Sequence, residues 1–218
     1  KLDEMVAHWW EQAEIHGVLP LDDRGVELFG SRFRKNSPHP EDRRYVYRPP
    51  MSPMPAQASG GVGGRNVDIV ANVTYKKGDE GVLYASGTQN SGISVFVQNG
   101  RLLLDYNAFG DHTIIESAGL VPEGDHQLRA VLRRGDGMSG YLEVTIDGVS
   151  GGSAEVSLYM RMISSVGPSV GFDHGSPIST RYSAPYAYTG ELHEIIIESG
   201  PRRVDTAKAE AQAEMNRQ

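Results

Sequence analysis

The residues best suited to chemistry in this chain are few and scattered. The run Asp173-His174-Gly175-Ser176-Pro177 gathers a carboxylate, an imidazole and a hydroxyl in one polar loop beside a strand end, a usual place for a binding site. Together with Asp147 it could offer oxygen ligands to calcium. However, calcium takes six to eight oxygens and no spaced Asp/Asn run of the EF-hand kind is present. An Asx turn held by its own side chain explains the same residues without a ligand. Tyr182, Tyr186 and Tyr188 flank Ser183-Ala184-Pro185, whose composition predicts a loop. Exposed rings there could stack on the C–H faces of a sugar, with Asp173 and His174 as polar anchors. The alternative is that tyrosine is simply a good strand residue with a wet tip.

Other arrangements fall short. The seven histidines stand at 8, 16, 39, 112, 126, 174 and 193, and no pair has the i, i+4 spacing of a helical zinc site. A Ser-His-Asp triad can be written on paper, yet no Gly-x-Ser-x-Gly elbow aims a nucleophile. Asp22, Asp23 and Arg24 could orient a loop near a catalytic pocket. Equally, an Asp there caps the next helix and Arg24 pairs with a carboxylate. With no cysteine in the chain, disulfides, thiolate metal sites and thiol nucleophiles are all excluded. A cysteine-free chain suits a bacterial cytoplasm without excluding export.

The elements that must position these residues follow from periodicity. Leu2, Met5, Val6, Trp9, Trp10 and Ala13 recur at helical spacing, with Gly17 and Pro20 as stop signals. A second short helix can start at Asp22-Asp23 and run through Val26, Leu28 and Phe29. Residues 37–64 are rich in proline and then glycine and read as a strap and linker. Its apolar residues Tyr45, Val46, Tyr47, Met51 and Met54 are too many for free chain, so the strap is expected to lie on a surface, and self-association is one way to supply it. From 65 to 200 period-two alternation dominates, in strands near 67–75, 81–86, 93–98, 101–106, 112–117, 127–133, 141–147, 169–172 and 190–197. Asn99-Gly100 and Asp147-Gly148 sit where two-residue hairpins need positive φ. The expected fold is mainly β: an antiparallel β-sandwich of jelly-roll type (laminin-G/concanavalin-like), with an N-terminal helical segment over 1–36. A helical or disordered tail over 201–218 completes it.

Charge and hydropathy narrow the partners. With 28 acidic and 21 basic residues the net charge is −7, which offers no long-range attraction to nucleic acid or anionic lipid. No apolar run approaches the roughly 20 residues that span a bilayer.

Three stretches together resemble one family. Trp9-Trp10-Glu11-Gln12-Ala13-Glu14, leading into Val18-Leu19-Pro20-Leu21-Asp22-Asp23-Arg24, is similar to the end of the catalytic domain of large bacterial arylsulfatases. Leu104–Gly110 and Val170–Ile178, followed by Tyr188–Leu192, resemble the C-terminal sandwich of the same proteins. The resemblance implies the non-catalytic tail of a sulfuric ester hydrolase. Its formylglycine and calcium would then sit in an upstream catalytic domain, the expected partner of Trp9 and Trp10. The formylglycine motif Cys-x-Pro-Ser-Arg is lacking, and Ser183-Ala184-Pro185 continues into Tyr186-Ala187. This chain is therefore expected to be no enzyme and to hold no cofactor. The expected role is an accessory sandwich that stabilises the assembly or shapes substrate access; the alternative is a carbohydrate-binding, lectin-like module.

Overall fold

The computed structural model describes residues 1–15, 43–55, 59–159 and 166–200. The expectations for Gly17 to Pro38, including the Asp22-Asp23-Arg24 cap, and for the tail after 200 lie outside the described residues. Two compact units divide the chain, with α1 in one and the sandwich, from Glu41 to Arg203, in the other.

Helix α1 spans Leu2–Ile15, with Asp3 and Glu4 in its first turn, where carboxylates suit the positive end of the helix dipole. Leu2, Met5, Val6, Trp9 and Trp10 are all exposed, and the two indoles meet edge to face at 4.8 Å. No helix among the described residues is long and apolar enough to cross a membrane, which says nothing of strands.

The sandwich is made of two antiparallel sheets. Strands β1 (Arg43–Tyr47), β2 (Val67–Tyr75), β7 (Gly124–Arg134), β8 (Gly140–Ile146), β9 (Val149–Val156) and β11 (Glu191–Ser199) build a six-stranded sheet in the order β1-β11-β2-β7-β8-β9. Strands β3 (Gly81–Thr88), β4 (Ser91–Gln98), β5 (Arg101–Ala108), β6 (Asp111–Glu116) and β10 (Ser169–Val170) build a five-stranded sheet in the order β10-β3-β4-β5-β6. Alternation dictates the packing. Val67, Ile69, Ala71, Val73 and Tyr75 point inward from β2, where they meet Leu128, Ala130 and Leu132 of β7 and Ile93, Val95, Leu102, Leu104 and Tyr106 across the gap. Each of the valines, leucines and isoleucines contributes about 1.5–3 kcal/mol by leaving water.

Two strands were not visible in the sequence. Arg43–Tyr47, within the stretch expected to be a strap, pairs with β11, so that Tyr47 faces Ile195. Tyr47 belongs to the core, and Tyr45, Met51 and Met54 pack on it. The strap's apolar residues thus find their surface within this sandwich. Strand β9 reads Val-Ser-Gly-Gly-Ser-Ala-Glu-Val, with no apolar alternation to betray it. Its glycines let it approach the other sheet: a Cβ at Gly152 would stand 2.6 Å from the Glu116 carbonyl. Just beyond β6, the Ala118 amide donates to the Gly151 carbonyl, stitching the two sheets along one side.

The five-stranded sheet carries a second layer on its outer face. The segment 171–190 crosses it, and Ile178 and Tyr182 bury Val82, Ala85, Phe96 and Leu103 beneath them. At the crossing, the Val82 amide donates to the Tyr186 carbonyl. Gly81, at φ +123°, leaves room where any Cβ would lie 2.3 Å from the Ala187 oxygen.

Candidate functional site

The crossing segment is held down by a buried polar network. Tyr182 is 9% exposed, and its hydroxyl donates to Asp173 Oδ2 at 2.7 Å. Because that proton is committed, Ser94, 2.8 Å away, donates to the Tyr182 oxygen. Asp173 Oδ2 also accepts from the Ile178 amide at 3.0 Å, five residues on, a wider loop than the two-residue span of the Asx turn expected from the sequence. Burial and the Asp173 carboxylate push the Tyr182 phenol far above its ordinary range. The Tyr182 ring stacks on Tyr186 at 5.1 Å and meets Phe96 edge to face at 5.2 Å.

The five residues expected to form a ligand surface are therefore mostly internal parts. Tyr186 is half-buried, donates to Glu80 Oε2 at 3.0 Å, and has its phenol pushed up to about 12 by burial and by Glu80. Tyr188 packs against the core, and its hydroxyl is buried without a hydrogen-bond partner among the described residues. Asp173 is 1% exposed. His174 alone is exposed, its ring edge to face with Phe172 at 6.4 Å. Asp147, weighed as a calcium ligand with Asp173, is committed elsewhere: it accepts from His126 Nδ1 at 2.7 Å and the Gln127 amide at 2.8 Å. Among the described residues no three His, Asp or Glu side chains gather to hold a metal.

A hydroxyl and a histidine do meet, at Thr74 and His193, 2.8 Å from Oγ1 to Nε2. Thr74 donates to Asp125 at 2.5 Å, so the imidazole must supply the proton between them. In that state it is no base toward Thr74.

What the fold does assemble is one end of the five-stranded sheet. The Asn107 amide is fully buried and ties three loops: Nδ2 donates to the Gln89 carbonyl at 2.8 Å and the Ile178 carbonyl at 3.3 Å, and Oδ1 accepts from the Gly110 amide at 2.8 Å. Ser176 Oγ also accepts from the Gln89 amide at 3.1 Å. The β3–β4 turn, the β5–β6 turn and the His174–Ser176 loop are thereby fixed together. Phe109 stands at the tip of the β5–β6 hairpin, 62% exposed and at φ +58°. A bulky side chain in the left-handed region is an outlier, costing about 1–2 kcal/mol relative to glycine or asparagine. Gln89, Asn90 and Asp111 are exposed around it.

His112, directly opposite Asn107 in the ladder, is 19% exposed and places Nδ1 3.0 Å from both oxygens of the fully buried Asp105. Burial raises the Asp105 carboxyl above its ordinary value, partly offset by hydrogen bonds from Ser179 and His112. The sequence offered no sign of Phe109 or of the Asp105–His112 pair. The one available signal was Phe-Gly at a position where a two-residue hairpin asks for Asn-Gly or Asp-Gly.

No protein-family model matches this chain, and no curated protein matches it. Among solved structures, domains LG4-5 of the mouse laminin alpha1 chain match with a TM-score of 0.49 at 18% identity, over 72% of this chain and 42% of that one. The Ruminococcus gnavus IT-sialidase CBM40 domain, bound to alpha2,6 sialyllactose, matches at 0.44 and 10% identity, over 76% of this chain and 97% of that one. The binding domain of botulinum neurotoxin serotype D matches at 0.37 and 12% identity, over 62% and 33% respectively. The architecture rests on the strands themselves: this chain is mainly β, a sandwich of two antiparallel sheets, with one helix, α1, among the described residues. These matches lend the arylsulfatase resemblance no support.

Proposed function

We propose that this chain is a non-catalytic carbohydrate-binding sandwich whose recognition surface is the loop end around Phe109. The observation that carries the reading is the Phe109 ring, held out in solvent on a strained backbone by the buried Asn107. Strain of this kind persists where the surrounding structure over-determines it, and it gathers at ligand sites. A rigid aromatic face beside Gln89, Asn90, His174 and Ser176 matches what a sugar requires: an apolar wall for its C–H groups and a few aimed polar groups for its hydroxyls. The Ruminococcus gnavus domain binds sialyllactose; a likeness at that level supplies a test ligand and no argument. Titration calorimetry with lactose, maltotriose, chitobiose and 6′-sialyllactose tests the reading. Saturable binding that weakens at least tenfold in Phe109→Ala is the expected result. A folded protein that binds none of the four refutes it.

The second reading is the accessory portion of a sulfate-ester hydrolase. It is favoured by the exposed indoles of Trp9 and Trp10, which lie in the stretch similar to the end of an arylsulfatase catalytic domain. Under either reading the chain turns over no aryl sulfate. Chromogenic hydrolysis that a single substitution in this chain abolishes would overturn both.

A further inference from the structure

We propose that His112 is the polar anchor of this site, accepting a hydrogen bond at Nε2 from a hydroxyl of a neutral sugar while Asp105 holds the ring proton on Nδ1. The inference rests on the carbohydrate-binding reading above and adds to it the class of ligand and a dependence on pH.

The geometry supplies each part. A carboxylate only accepts, so Nδ1, 3.0 Å from both Asp105 oxygens, carries the proton of the neutral ring. The lone pair is then on Nε2, which has no hydrogen-bond partner among the described residues. Asp105 is 0% exposed and cannot swing away, because Ser179 of the crossing segment also hydrogen-bonds it. The ring is therefore fixed in orientation and tautomer, as a second partner fixes an imidazole in many functional sites. Its position is equally specific. Asn107, its cross-strand neighbour, is the residue that ties the three loops, and Phe109 lies three residues before it at the tip of the same hairpin.

Charge selects a neutral ligand over an anionic one. The charged groups near His112 are Asp105, in direct contact with it, Glu116 on the same face of its own strand, and Arg101 and Arg181, which pair with Glu116; Asp111, one residue before it, points to the other face. Both arginines are spent on Glu116, at 3.4 and 3.7 Å. Asp173 of the crossing segment is bound to Tyr182 and the Ile178 amide. Burial raises the Asp105 carboxyl and Arg181 lowers it in part through space, but it forms no ion pair with an arginine among the described residues, so a carboxylate or sulfate brought to Nε2 still meets its charge. A sugar hydroxyl can donate instead.

Protonation removes the acceptor. When His112 binds a proton, Nε2 becomes a donor and the hydroxyl must turn or leave. Affinity for a neutral sugar is thus expected to fall about tenfold in the protonated state. The experiment is calorimetric titration of the wild type, Phe109→Ala, His112→Ala and His112→Gln with the same four saccharides at pH 8 and at pH 5, with thermal unfolding as a control for folding. His112→Ala should lose about tenfold for the neutral sugar at the higher pH. His112→Gln, whose amide oxygen accepts at every pH, should keep most of the affinity and lose the pH dependence. Neutral-sugar binding that depends on Phe109 but ignores both His112→Ala and pH overturns this inference and leaves the carbohydrate reading standing. So does binding of 6′-sialyllactose alone, strengthening toward pH 5. Absence of binding to all four probes by the folded wild type sinks both.

Discussion

Three hairpins in this sandwich turn through two residues at positive φ, and they differ in what they place there. The β4–β5 turn uses Asn99-Gly100 at φ +52° and +71°, and the β8–β9 turn uses Asp147-Gly148 at +50° and +79°. The β5–β6 turn uses Phe109-Gly110 at +58° and +90°. The backbone is almost the same in all three, so the turn itself did not require phenylalanine. Asparagine and aspartate adopt this conformation cheaply because their short polar side chains bond locally. Asp147 shows how: its carboxylate grips the Gln127 amide and His126. Phe109 grips nothing and stays in solvent. The first two turns serve the fold, and the third costs the fold something for the sake of a surface.

That contrast can be broken at its support. Asn107→Leu removes three buried hydrogen bonds and leaves the Gly110 amide and two carbonyls to find new partners. A loss of about 3 kcal/mol, or roughly 6–12 °C in Tm, is expected by calorimetry or circular dichroism. A change under about 1 kcal/mol would show that the three loops are held by other means.

Exchanging the turn residues sharpens it. Phe109→Asn should stabilise the sandwich by about 1 kcal/mol while saccharide affinity drops at least tenfold. Asn99→Phe should cost about 1 kcal/mol and create no binding. Equal stability in the two variants would mean that the backbone at Phe109 carries no strain.

The smallest effect is a matter of protons. The Gln127 amide and His126 hold the Asp147 carboxyl below its ordinary value. A carboxyl lowered by folding stabilises at pH values above its unfolded pKa of about 3.9, and that contribution disappears as the pH falls through the folded value. Asp147→Asn should therefore lower Tm slightly at neutral pH and narrow toward the wild type in acid. Asp105 runs the other way: raised by burial, it favours the fold most when protonated, and loses that contribution as the pH rises through its folded value. A Tm difference between wild type and Asp147→Asn that is constant from pH 7 to pH 2 would contradict the first assignment.

Much of the architecture was written in alternation. Val67 to Tyr75 announces an inward and an outward face, and Asn99-Gly100 and Asp147-Gly148 announce their turns, because those signals are local and repeated. Strands β1 and β9 were hidden for opposite reasons. One sits in proline-rich chain that suggests a linker, and the other is so poor in apolar residues that nothing alternates. The candidate site was harder still. Tyr182 and Tyr186 look like exposed rings in sequence, since Ser183-Ala184-Pro185 signals a loop. Whether a loop leaves the surface or folds back over a sheet depends on Val82, Ala85, Phe96 and Leu103, 79 or more positions away. No local pattern carries that information. Nor does the sequence show that Asp105 and His112, seven apart, become diagonal neighbours once the hairpin closes between them.

The seam between Ala118 and Gly151 has a consequence for life in a crowded solution. Exposed sheet borders are where polypeptides recruit strangers and grow into fibres. Here β9 is drawn against the end of β6, and part of its hydrogen-bonding edge is spent within the molecule. A bulkier residue at Gly152 would force that seam apart and turn a private junction into an invitation to polymerise.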